Sequence, residues 1–315
     1  MDKILGIISE YNPLHLGHVY HIRESKKKIN PDYTVAIMSG NFVERGDTAI
    51  IDKWSRAEMA LNSGIDLIIE LPLIYSISSA ENFASGNIKL LSSLGMDTTL
   101  SFGSECGDVS ILDEIANVLV KEPPEYVSML NHSLETGASF PKAREHALLM
   151  YLNDIRRYAN VLSEPNNILG IEYLKSIKKQ RSNLKTITIK RTGSNYNDLS
   201  LESKYASGTA IRNALNTQTD IKQFVPKSTY EILKSKIEKN ELVYGLSIFE
   251  QAIIYKLRSM SIDEISMLPD VNEGLENKIK KAADSCNTLS QLTEKIKSKR
   301  YTRNKNKPNS SLCFT

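Results

Sequence analysis

Between residues 4 and 102 the chain repeats one pattern: a short apolar run, a loop, then an amphipathic stretch. Ile4–Ser9, Tyr33–Ser39, Asp66–Leu71 and Thr98–Phe102 read as strands, apolar along their length as strands covered on both faces are. The segments between them carry helical spacing: about Leu14 to Lys28, a stretch through Trp54, Ala57, Ala60 and Leu61, and Ser79–Leu94. Asp52 suits a helix N-cap, and Gly64 and Gly95 suit helix ends. Strand and helix alternating in this order constrain the chain to an α/β fold, a Rossmann-like doubly wound parallel sheet. The middle, about 108–160, reads as helical, Lys185–Lys190 as one more strand, and Ser207–Leu215 as a further helix start. From about Gln218 the pattern turns all-helical and richer in lysine, with helices expected at Phe224–Lys239, Ser247–Met260 and Glu273–Asp284. The expected organisation is an α/β unit over 1–217, a smaller all-helical unit over 218–303, and an unfolded tail over 304–315.

Composition sets outer limits. With 315 residues, 41% hydrophobic and 24% charged, the chain can bury a sizeable core and is not disordered throughout. No stretch approaches the roughly 18 unbroken apolar residues of a membrane span, and the N-terminal run is too short for a signal segment. Cys106, Cys286 and Cys313 are far apart and form no Cys-x-x-Cys, which argues against a disulfide framework or a structural zinc site. A cytoplasmic protein with reduced thiols and no membrane partner is expected. The net charge of +3 says little about polyanions, so any such contact must come from local charge.

The chemistry concentrates directly after the first strand, in Asn12-Pro13-Leu14-His15-Leu16-Gly17-His18. Ligands of open α/β sheets bind beyond the carboxyl ends of strands, and a helix N-terminus there favours phosphate. His15 and His18, three apart, project from one side of the first turn and can donate hydrogen bonds to charge developing on a polyphosphate. Gly17 lies where a side chain would block close approach of a nucleotide. His21 continues the same helix and is read as structural or solvated.

This strand–NPxHxGH–helix resembles the nucleotidylyltransferase superfamily, whose HxGH motif binds ATP and supports attack on the α-phosphate. A later helix start in those proteins carries a Ser-Ser-Thr-x-x-Arg-like motif. Ser207-Gly208-Thr209-Ala210-Ile211-Arg212 fits it, with Gly208 at a position that is often Ser. There Ser207, Thr209 and Arg212 would hold the β and γ phosphates.

Further segments narrow the resemblance. Gly6–Pro13, Ser39–Gly46 (SGNFVERG), Asp52–Ala57 (DKWSRA) and Pro165–Leu174 (PNNILGIEYL) look like the bacterial tRNA(Met) cytidine acetate ligases, as do Phe102–Glu105 and Ile189–Arg191. The resemblance runs from residue 1 to about Arg303. It implies a nucleotidylyltransferase-type fold and a two-step reaction. Acetate is activated by ATP, with Mg2+, as acetyl-adenylate. The acetyl group then passes to the wobble cytidine of elongator tRNA(Met), giving N(4)-acetylcytidine. Magnesium would accompany the triphosphate, with no dedicated protein cage.

By the same resemblance, His15 and His18 are the catalytic candidates. The nucleotide would be wrapped by Ile7, Ile8, Ser9, Glu10, Tyr11, Asn12, Pro13, Leu14, His15, Leu16, Gly17, His18, Val19 and Tyr20. Gly103 would let backbone approach it, Arg191 and the Thr192 backbone would contact it, and either Asn166 or Asn167 would do so. Arg45, Lys53 and Arg56 are candidates for phosphate or RNA, and Asp52 is equally a helix cap. Trp54, the single tryptophan, is read as a core residue.

Local charge supplies the RNA candidate. From Lys278 to Lys307 there are ten basic residues and two acidic ones, a net +8, so the remainder carries −5. Lys297, Lys299, Arg300 and Arg303 are the expected tRNA contacts, sequence-independent and salt-sensitive. Beyond Arg303 the ligase family continues into Leu/Ile-rich helices, whereas this chain runs Asn304–Thr315 (NKNKPNSSLCFT). Adenylation is expected to be least affected by that departure and tRNA docking most. An adenylyltransferase for a small cofactor precursor is the alternative; it would share both phosphate motifs but need no basic helical unit.

Overall fold

The computed structural model describes residues 2–44, 46–158, 160–191, 205–269, 271 and 274–297. Among these residues seven strands form: β1 Lys3–Ser9, β2 Tyr33–Ser39, β3 Phe42–Val43, β4 Asp47–Thr48, β5 Leu67–Leu71, β6 Asp97–Ser104 and β7 Lys185–Lys190. Five make a wholly parallel sheet in the order β5-β2-β1-β6-β7. The chain runs outward from β1 through β2 to β5, then returns to the other side of β1 for β6 and β7. The reversal leaves a crevice at the carboxyl ends of β1 and β6, where such sheets bind ligands. β3 and β4 form a separate antiparallel ribbon, absent from the sequence reading because two-residue strands carry no periodicity.

Helices cover both faces. Alternate residues of one strand therefore enter different cores. Ala36 and Met38 pack on one side with Leu5, Ile7, Ile22, Met59 and Ile211, while Ile37 packs on the other with Leu91, Leu100, Ile115 and Leu174. A Cβ on Gly6 would lie 2.9 Å from Leu91 Cδ2, so glycine there lets the helix Ala80–Ser92 sit close on β1. The helices between β6 and β7, from Val109 to Lys179, complete the second face.

The C-terminal helices build a third core from Leu257, Ile265, Ile279, Ala283, Leu292 and Ile296. Ile221, Phe224, Val225 and Leu233, which the sequence pattern groups with that helical part, pack instead with β1 and β2. Residues 243–249 bridge to the ribbon: the Val243 N–H donates to the Ile50 carbonyl at 2.8 Å, and the Phe42 and Phe249 rings lie 6.2 Å apart.

Two side-chain readings are corrected. Trp54 is 75% exposed on the first turn of the helix Lys53–Leu61, not in the core. Arg56, considered for phosphate or RNA, is fully buried on the same helix. It donates to the backbone carbonyls of Glu10, Ser39 and Gly40, which is how its charge is accommodated. Arg45 and the tail 304–315 lie outside the described residues.

Candidate active site

β1 delivers the chain to a pinned loop. The Glu10 carboxylate accepts from the Glu44 N–H at 2.7 Å, and Asn12 Oδ1 from the Ile50 N–H at 2.8 Å. His15 then caps the helix Leu16–Ile29 in place of a Ser or Asp. Its Nδ1 accepts from the Gly17 N–H at 3.1 Å, and His18 Nδ1 accepts from the His15 N–H at 3.2 Å, a reciprocal capping box. The two rings stack at 3.7 Å, and Tyr11 meets His18 edge-on at 5.1 Å.

This geometry fixes the protonation state. Burial, reinforced by Arg191 and Arg212, pulls His15 down to about 3; burial, His15, Arg191 and His21 pull His18 well below its ordinary value. Both imidazoles are therefore neutral at physiological pH. With each Nδ1 accepting a backbone N–H, each proton sits on Nε2. Two neutral N–H donors thus remain after the cap is satisfied. His21, read as structural or solvated, also lines the cleft; its Nε2 lies 3.0 Å from Ser101 Oγ, and burial and Arg191 lower it to about 4.

The second motif arrives from 190 residues further on. Ser207 caps the helix Gly208–Asn216 by accepting from the Ala210 N–H at 3.0 Å. Arg212 donates to the Asn12 carbonyl at 2.6 Å and to Thr209 Oγ1 at 3.1 Å. A Cβ on Gly208 would lie 3.5 Å from the Asn12 carbonyl oxygen and 3.9 Å from His15 Cδ2, so the two helix starts abut.

The third wall comes from the ends of β6 and β7. Glu105 is its hub: one carboxylate oxygen accepts from Asn166 Nδ2 at 2.5 Å and faces Arg191 Nε at 3.7 Å, and the other accepts from the Asn167 N–H at 3.0 Å. Asn167 Oδ1 turns away to the Glu105 and Cys106 N–H groups, at 2.9 and 3.1 Å. Of the two asparagines the sequence left open, Asn166 faces the cleft and Asn167 ties the loop behind it. Glu105 was missed as an organising residue, since nothing in its spacing distinguishes it from a surface acid.

One cleft gathers Ile7, Ile8, Ser9, Glu10, Tyr11, Asn12, His15, Gly17, His18 and Tyr20 with Gly103, Asn166, Arg191, Ser207, Thr209 and Arg212. Pro13, Leu14, Leu16 and Val19 do not line it: Leu14 is fully buried, Val19 packs on the same core, and the Leu16 N–H bonds the Phe224 carbonyl at 3.0 Å. Those four support the loop instead. Thr192, Lys299, Arg300 and Arg303 lie outside the described residues; Lys297 is paired with Glu294. Among the described residues no group of three or more His, Cys, Asp or Glu is placed to hold a metal ion, and no helix is long and apolar enough to cross a membrane.

Residues 2–307 match the family described as HIGH Nucleotidyl Transferase. A protein of Clostridium novyi named tRNA(Met) cytidine acetate ligase is 48% identical over 303 residues, covering 95% of this chain and 75% of its own. A Clostridium acetobutylicum protein of the same name is 48% identical over 309 residues, covering 95% and 76%. The crystal structure of Thermotoga maritima TmcAL bound with alpha-thio ATP superposes with a TM-score of 0.86 at 35% identity, covering 95% of this chain and 72% of that one.

Proposed function

Because the chain belongs to the HIGH nucleotidyl transferase family, among the tRNA(Met) cytidine acetate ligases, we propose that it is an ATP-dependent ligase that acetylates the wobble cytidine of elongator tRNA(Met). The observation that carries the reading is the meeting, in one cleft, of two neutral imidazole donors with a capped helix start and its arginine. That is a set of donors for a polyphosphate undergoing substitution at phosphorus.

An acetate oxygen attacks the α-phosphorus of ATP; the new P–O bond forms as the α–β bridging bond breaks, and pyrophosphate leaves with the electron pair. His15 and His18 Nε2–H groups stabilise charge developing on the phosphoryl oxygens. Being neutral, they donate without a preceding proton transfer. Ser207, Thr209 and Arg212 hold the outer phosphates, and Asn166, Gly103 and Arg191 border the remainder of the nucleotide. Magnesium would accompany the ATP and would neutralise part of the phosphate charge beside Ser207, Thr209 and Arg212. In the second step the cytidine N4 attacks the acetyl carbon, AMP leaves, and N4 loses one proton. Catalysis is positioning and charge stabilisation, with no covalent enzyme intermediate.

The basic stretch from Lys278, with Lys297, Lys299, Arg300 and Arg303, supplies phosphate contacts to the tRNA, at the far end of the helical part 218–303 whose first segment packs under the sheet. A cytoplasmic location accompanies a tRNA substrate. The test is incubation with ATP and labelled acetate, with and without tRNA. Acetate-dependent pyrophosphate release and label on cytidine are expected. Pyrophosphate release that ignores acetate sinks the reading, and a product that retains AMP points to a small-molecule adenylyltransferase.

A further inference from the structure

The nucleotide candidates come from β1 and the helix Leu16–Ile29 after it, from the ends of β6 and β7, and from the helices Pro165–Lys179 and Gly208–Asn216; none comes from β2 or β5. The carboxyl ends of β2 and β5 are thus a side of the site that no nucleotide candidate occupies. Trp54 stands there, 75% exposed. Its helix is anchored to this edge of the sheet. The Lys53 N–H donates to Asn41 Oδ1 at 2.8 Å, just beyond β2, and Lys53 Nζ bonds the Glu70 carboxylate of β5 at 2.6 Å. The adjoining loop returns through Glu44 to Glu10 on the cleft wall.

Resting on the proposed function, we infer that Trp54 is a stacking platform for an unpaired base of the RNA substrate, next to the cytidine being acetylated. Two observations and one requirement of the reaction point to RNA as the occupant. An indole that is 75% exposed takes no part in either sheet core. Lys53 Nζ lies 5.3 Å from the ring centroid, and its ion pair holds it there, so a cation is fixed beside a π-surface. An aromatic face with an adjacent cation is what unpaired bases and their phosphates use. Finally, acetyl transfer requires the cytidine N4 to reach the acetyl carbon held beside the α-phosphate, so the unpaired neighbours of that cytidine rest on a rim of the cleft, and the rim at β2 and β5 is the one we assign to them. The surrounding charges are largely compensated, Asp52 by Lys236 and Glu70 by Lys53, so the platform acts by stacking rather than by net charge.

Trp54 is the protein's single tryptophan, so its emission reports on this position alone. The experiment titrates the full chain with the anticodon stem-loop of elongator tRNA(Met), and with an RNA duplex lacking a loop. Quenching by the stem-loop but not by the duplex is expected. Trp54→Ala should weaken stem-loop binding about tenfold or more, with Trp54→Phe retaining part of the affinity. The salt dependence of binding and acetate-dependent pyrophosphate release should be unchanged in both variants. An unquenched indole in a saturated complex overturns the inference. So does Trp54→Ala with wild-type affinity and wild-type acetyl transfer. If that variant instead loses self-association in sedimentation while RNA binding is intact, the patch belongs to a second copy of the chain and the inference likewise fails. Normal quenching without any cytidine acetylation by the wild type would overturn the proposed function and leave the stacking site standing.

Discussion

At Gly17 an added Cβ would lie 2.9 Å from His15 Cε1 and 3.0 Å from its Nδ1. Its spacing suggests that glycine clears the way for a nucleotide; the structure shows that the first obstacle is the capping imidazole itself. Gly17→Ala should push the His15 ring away and break the bond from the Gly17 N–H. We expect adenylation to fall about 100-fold, the cost of losing one preorganised donor, with little change in melting temperature. Acetate-dependent pyrophosphate exchange beside a thermal melt checks this; an active Gly17→Ala enzyme would remove the capping geometry from the mechanism. Trp54 and Arg56 show what residue type alone misassigns. Hydropathy sends the tryptophan inward and the arginine outward, but three carbonyls at strand ends reward the guanidinium inside, and the indole is left 75% exposed.

Elements were legible where a period or a cap marks them. β2 and β7 run over the residues their β-rich pattern marks, and Asp52, Ser79 and Ser207 cap the helices that follow them. The β3–β4 ribbon was not legible, because its order comes from contacts with neighbouring loops. Ser207 tests whether a cap is also a functional part. Ser207→Ala removes the bond to the Ala210 N–H and should cost about 1 kcal/mol in urea unfolding. It should also raise the KM for ATP severalfold, because the freed helix start no longer aims its N–H groups at one point. A stability loss with an unaltered KM would confine Ser207 to capping.

Over the whole molecule, three histidines are held neutral in one cleft, and this couples stability to acidity. His15 and His21 are lowered from 6.5 to about 3 and about 4, and His18 is lowered well below 6.5. The unfolded chain thus binds more protons below pH 6.5. Stability is full above that pH and falls as the pH drops toward the folded values, by up to about 1.4 kcal/mol per pH unit for each histidine. Urea midpoints at pH 7 and pH 5 check the sign; equal midpoints would mean that the imidazoles are not held neutral. The sequence by itself determined the alternating α/β order, both phosphate motifs and the family, because local period, caps and short contiguous motifs are written within a few residues of one another. Only the tertiary structure decided that Asn166 rather than Asn167 faces the cleft, that Glu105 organises its third wall, and that residues 221–233 pack beneath the sheet. Those outcomes depend on which side chains meet across tens to hundreds of residues, and that follows from packing and hydrogen-bond satisfaction among elements rather than from any local pattern.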